Sequence, residues 1–154
     1  MFSLLRLLQP VAQISSAIRQ VSSKTKTRQE FRDSLTVLYN KRSNTTTPKG
    51  WAKYSRKIDQ SVISFNEKVL RKKSVFDMHG MTPKGAVDYL LQQIHETTEK
   101  RDLILITGSG NNSKNGKAAI RDNLIRRGKD LADSKISMDR KNPGMLRVTI
   151  KKKA

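Results

Sequence analysis

From Ser74 onward, apolar residues come in short continuous runs that alternate with helical stripes. SVFDMHG (Ser74 to Gly80) is an apolar run ending in glycine, the mark of a buried strand. Thr82-Pro83 then opens a helix, with threonine capping the free amides and proline tolerated at the first helical position. Ala86, Val87, Leu90, Leu91 and Ile94 supply its inward face. LILIT (Leu103 to Thr107) predicts a second strand, buried on both faces because its apolarity is continuous. A loop rich in Gly and Asn follows, GSGNNSKNG (Gly108 to Gly116). The next helix runs from about Lys117 to Arg127, with Ile120 and Leu124 inward and Gly128 as its C-terminal stop. KISMD (Lys135 to Asp139) reads as a third strand, and RKNPG turns the chain. MLRVTI then sets Leu146, Val148 and Ile150 against Arg147 and Thr149, a strand with one wet face. The order β-α-β-α-β-β predicts an α/β fold (an α+β sandwich), with two helices crossing over a small mixed sheet. No internal repeat interrupts it.

Upstream, residues 24–73 show two helical patterns. Phe31, Leu35 and Leu38 recur at helical spacing, and SNTTTPKG (Ser43 to Gly50) reads as a loop. Trp51, Tyr54, Ile58, Val62, Phe65 and Val69 then follow steps of three and four along one stripe, which makes these aromatics candidate core. Lys53, Arg56, Lys57 and Lys68 lie off the stripe. Such a helix docks its stripe on a domain and leaves its cations to water or to phosphates.

The first 23 residues, MFSLLRLLQPVAQISSAIRQVSS, differ from everything after them. They carry Arg6 and Arg19, several serines and no acid, and Leu4, Leu8, Val11 and Ile18 fall near one helical face. Acid-poor, arginine-bearing amphipathic N-termini of this kind predict a mitochondrial transit peptide and a matrix location. A secretory signal is the rival, but its apolar core, Leu4 to Leu8, is short and broken by Arg6. A membrane span is disfavoured, since Pro10 interrupts the best apolar stretch. The organisation expected is a transit peptide over 1–23, a basic, partly helical extension over 24–73, a domain over 74–150 and a basic tail over 151–154.

Charge narrows the partners. The 154 residues hold 32 Lys+Arg against 13 Asp+Glu, a formal +19. Fourteen of those cations and only four acids fall in 24–73. A chain so charged repels itself unless an anion balances it, and phosphate backbones do so with a gain from counterion release. Anionic membrane surfaces have the same attraction, so charge alone does not choose between them. Without cysteine, the chain has no disulfide, thiolate ligand or thiol nucleophile. Its two histidines, His79 and His95, are too few for a histidine-rich zinc site, and no metal is expected.

Two strand-to-helix turns carry the candidate chemistry. In Asp77-Met78-His79-Gly80, strand alternation puts Asp77 and His79 on one side, and Gly80 lets backbone approach a ligand. A carboxylate that orients an imidazole makes a proton donor or acceptor near neutral pH. The same pair is equally at home capping a neighbouring turn. In the second turn, Gly108-Ser109-Gly110 precedes Asn111, Asn112, Ser113 and Lys114 ahead of a helix bearing Lys117 and Arg121. Backbone amides and a helix dipole there suit an anion. The loop lacks the Gly-Lys-Ser/Thr of a Walker loop and the third glycine of a dinucleotide fold. A single backbone phosphate therefore suits it better than a nucleotide, and no cofactor is expected. Sites in open α/β sheets gather at strand carboxyl ends, so adjacent strands would put both turns at one edge.

FDMHGMTPKGAVDYLL, LILITGSGNNSKNGKAAIRDNLI and GMLRVTI together resemble the Smr (small MutS-related) family, in order and spacing, over residues 74–150. Ile63-Ser64-Phe65-Asn66 resembles that family's lead-in helix. The resemblance implies nucleic-acid binding and, in several branches, endonuclease activity on DNA or RNA. It makes Asp77 and His79 the candidate catalytic pair and Gly80, Gly108 and Gly110 the backbone that meets the strand. Two departures stand out: Ser109 where the family often has a basic residue, and Asn112 where it often has His.

The leading expectation is a mitochondrial RNA-binding protein with endonuclease potential. It would hold phosphates with Asn112, Ser113, Lys114, Lys117 and Arg121, and with Lys53, Arg56 and Lys57 of the extension. The alternatives are a non-catalytic RNA- or ribosome-binding module and a factor that nicks or repairs DNA.

Overall fold

The computed structural model describes residues 27–110 and 116–151. The transit-peptide expectation over 1–23, the loop residues Asn112, Ser113 and Lys114 and most of the basic tail lie outside the described residues. The chain divides into two units, Met1–Val37 and Leu38–Ala154. The described residues of the first are all helical, with Gln29 Nε2 donating to Asp33 Oδ1 one turn on at 2.9 Å.

The second unit contains the sheet. Helix α1, described over 27–43, ends in a turn after which Thr47 caps α2 (Pro48–Phe65). The Thr47 hydroxyl accepts from the Gly50 amide at 3.0 Å, and Pro48 sits where a helix needs no N–H. The connection is shorter than SNTTTPKG suggests, because Pro48-Lys49-Gly50 is already helical. At Asn66–Leu70 the helix widens to a π-turn, closed by the left-handed Arg71 (φ 49°), whose amide reaches Asn66 O at 2.8 Å. Then come β1 (Val75–Asp77), α3 (Pro83–Glu96), β2 (Arg101–Ile106), α4 (Ala119–Gly128), β3 (Ser134–Met138) and β4 (Met145–Ile150). The expected β-α-β-α-β-β order is the one observed.

The four strands lie in the order β1-β2-β4-β3. β1 and β2 are parallel, with Asp77 opposite Ile106, while β4 runs antiparallel to both β2 and β3. Leu105 opposes Leu146 and Leu103 opposes Val148, all four buried. Ile58 and Val62 of α2, Leu90 of α3 and Leu124 of α4 complete the core with Met78 and Ile150, each almost wholly excluded from water. Since α2 contributes to this core, the compact unit reaches back to Leu38, although the change of composition falls at Ser74.

Four expectations about packing need correction, the first being Leu91, counted with the inward face of α3 but exposed there. Leu103 and Leu105 are buried, but Ile104 and Ile106 are only half-buried. Antiparallel pairing with β4 gives that face of β2 polar neighbours: Ile104 opposes Arg147, and the Thr149 hydroxyl donates to Asp102 Oδ1 at 2.7 Å. Gly128 is not a left-handed stop, and it remains inside α4. A Cβ there would stand 2.5 Å from Ile136 Cδ1, so it is a close-packing glycine between α4 and β3. Trp51, counted with the core stripe, keeps 51% of its surface exposed.

Candidate nucleic-acid site

Parallel pairing of β1 with β2 puts the two candidate turns side by side at the carboxyl edge of the sheet. β1 is held there from outside the sheet. The buried Asn66 carboxamide donates to Asp77 O at 2.8 Å and to Val62 O at 2.9 Å, and its oxygen accepts the Asp77 amide at 2.8 Å. The Asp77 backbone is therefore satisfied on the flank where no strand pairs with β1. That makes the end of α2 part of the site's foundation.

Asp77 Oδ1 accepts the His79 backbone amide at 2.9 Å and lies 2.7 Å from His79 Nδ1. A carboxylate at that distance favours the tautomer that carries its proton on Nδ1. Nε2 faces the second turn, where a Cβ added to Gly108 would stand 3.1 Å from it. Gly108 has φ +79° and Gly110 φ +86°, both left-handed. Gly110 also packs on the start of the next helix, since a Cβ there would lie 2.6 Å from the Ala118 amide nitrogen. Backbone conformation favours glycine at both positions, and at Gly110 the close approach of backbone demands it as well. The His79 side chain is 61% exposed, open to a large ligand rather than enclosed in a pocket.

A third segment, which sequence reasoning treated only as a turn, completes this edge. Gly144 O, between β3 and β4, accepts from the amides of Thr107 (2.8 Å) and Gly108 (3.2 Å). Asp139 organises that turn by accepting the amides of Lys141 and Asn142 and the Arg147 guanidinium, at 2.9, 3.0 and 2.9 Å. These donors, the Lys141 amide first, hold its carboxyl below the ordinary carboxylate range. Arg140 and Lys141 are exposed in this turn, adding cations near the loop where Ser109 supplies none. The RKNPG composition was the available signal, but only the register of β4 against β2 brings it to the site.

The helix after the first turn is secured from α2. Thr82 caps α3 by accepting the Gly85 amide at 3.0 Å. Its own amide and hydroxyl donate to the Asp59 carboxylate at 2.7 and 2.8 Å. Burial raises the Asp59 carboxyl above its usual range, against the opposing pull of those Thr82 bonds. From α1, the Tyr39 hydroxyl donates to Gly80 O at 2.7 Å, and burial pushes this phenol above its ordinary value.

Among the predicted phosphate contacts, Lys117 is exposed just before α4. Arg121 is instead largely committed, with Nη1 to Pro143 O at 3.3 Å and Nε to Asp122 at 2.9 Å, so it braces the β3–β4 turn. Lys53, Arg56 and Lys57 are exposed on α2, a different element from either turn. Lys53 and Lys57 hold their ammoniums 5.9 and 6.0 Å from the Tyr54 ring centroid. Among the described residues, no helix is long and apolar enough to cross a membrane.

Comparison with known proteins adds one structure. The solved Smr domain of B3BP is similar to this chain at 25% identity and a TM-score of 0.44, over 63% of this chain and 99% of that one. No family model matches the sequence, and no curated protein does.

Proposed function

We propose that the carboxyl edge of β1 and β2 seats a phosphodiester of RNA, and that the protein is an Smr-type nucleic-acid-binding module with endonuclease activity, working in the mitochondrial matrix. One observation carries the reading: an Asp77-oriented imidazole turns its second nitrogen toward the left-handed glycine turn at Gly108. The motif resemblance over 74–150 supports the family, the charge of +19 supports the ligand, and the acid-poor N-terminus supports the compartment.

On RNA, His79 Nε2 takes the proton of the 2′-hydroxyl as that oxygen attacks phosphorus. The bond to the 5′-oxygen breaks, and this leaving oxygen recovers a proton from the imidazolium or from water. The products are a 2′,3′-cyclic phosphate and a 5′-hydroxyl, so neither metal nor cofactor is required. Asp77 stabilises the imidazolium, while the backbone of Gly108 to Gly110 accommodates the phosphate oxygens. Incubating the chain with RNA and with DNA of the same sequence, in EDTA, tests this. Cyclic-phosphate ends from RNA alone are expected, whereas strict magnesium dependence or DNA nicking overturns the route.

A second reading, a non-catalytic RNA- or ribosome-binding module, draws on a different observation. Asp77 Oδ1 also accepts the His79 backbone amide, which caps the turn whether or not chemistry occurs.

A further inference from the structure

We propose that Trp51, backed by Arg42, is a base-stacking platform for single-stranded RNA, placed to set the register of the strand that reaches His79. The inference rests on the nucleic-acid reading above and adds a specific contact to it. Trp51 is the chain's one tryptophan and is half exposed in the first turn of α2. The Arg42 guanidinium carbon lies 4.7 Å from the Trp51 ring centroid and 4.7 Å from that of Tyr39. Arg42 Nη1 also donates to the Ser55 hydroxyl at 3.4 Å, which restrains the guanidinium. Tyr39 in turn donates its hydroxyl to Gly80 O, the residue after His79. Trp51, Arg42 and Tyr39 thus form a continuous stack from an exposed indole to the candidate catalytic turn.

Charge favours a nucleic-acid occupant. Lys41, Lys49 and Lys53 are exposed around this stack, and the first turn of α2 has no acid. A protein partner would want a contiguous apolar patch, but the residues flanking Trp51 are polar or small. An aromatic face with cations beside it is the arrangement that binds an unpaired base and its flanking phosphates. Stacking is sequence-tolerant, because every base has a π-face.

A single tryptophan makes the test direct. The full chain is titrated with a short oligouridylate and, separately, with inorganic polyphosphate, which has the charge but no bases. Binding is followed by anisotropy of labelled RNA and stacking by quenching of Trp51 fluorescence. RNA is expected to quench along its binding curve and polyphosphate is not. Trp51→Ala should weaken RNA binding roughly 5- to 100-fold while leaving polyphosphate affinity unchanged, with a cooperative melt showing that the variant is folded. RNA that binds without quenching, and with equal affinity to Trp51→Ala, overturns the platform and leaves the nucleic-acid reading intact. Failure of the wild-type chain to bind RNA at all overturns both.

Discussion

His79 and Gly108 face each other across the ends of two parallel strands, with a methyl at Gly108 standing 3.1 Å from Nε2. Gly108→Ala adds that methyl and also forces alanine into a left-handed backbone (φ +79°). It should cost about 1–2 kcal/mol of stability, displace the imidazole and abolish cleavage. Urea melts and the histidine ring resonances of the folded variant check this. An undisturbed ring would show that the two turns do not cooperate.

Asn66 should matter more than its distance in sequence from the turn suggests. Asn66→Asp keeps the acceptor for the Asp77 amide but loses both donated bonds, to Asp77 O and Val62 O. A buried carbonyl left unpaired costs roughly 1–3 kcal/mol, and the variant should melt correspondingly lower. Amide exchange at Asp77 should quicken with it. An unchanged melting point would remove Asn66 from the site's foundation.

The β3–β4 turn should carry a pH dependence. The Asp139 carboxyl is held below the ordinary range by the Lys141 amide, Arg147 and the Asn142 amide, so it binds its proton less tightly folded than unfolded. Its contribution is therefore fully present above the ordinary carboxylate value and is lost as pH falls through the folded one. Protection of the Thr107 and Gly108 amides, which bond Gly144 O, measured relative to the intrinsic exchange rate at each pH, should fall on acidification. Asp139→Asn should show faster exchange already at neutral pH. Equal protection in variant and wild type would refute the link between turn and loop.

Neutralising Lys53, Arg56 and Lys57 together should weaken RNA binding and flatten its salt dependence. Each phosphate contact on a single strand contributes about 0.7 to the logarithmic slope, so losing three should lower it by about 2. Binding measured across a salt series reads this directly. An unchanged slope would place the phosphates elsewhere on the chain.

Most of the sheet was legible because its signals are local. Thr82-Pro83 marked a helix start and the apolar runs marked strands, but only the sheet topology makes the first two strands adjacent and sets Asp77-His79 beside the Gly108 turn. What sequence did not reveal depends on contacts between distant residues. Helical periodicity put Trp51 on the same stripe as Ile58, but it does not distinguish a core position from a ring stacked on Arg42. Asn66 looks like an ordinary helical asparagine until its amide meets β1 eleven residues on. Gly128 read as a helix stop because composition records the missing side chain, not the Ile136 packed against it. The β3–β4 turn joined the site only through strand register.

Catalysis by His79 is read most directly by running wild-type chain and His79→Ala side by side on labelled single-stranded RNA in EDTA, with binding and cleavage measured in the same samples. Wild type should cut the RNA to cyclic-phosphate ends, and the variant should bind with nearly the same affinity without cutting it. RNA bound tightly and left whole by both proteins would contradict the catalytic role of Asp77 and His79 and leave a binding module.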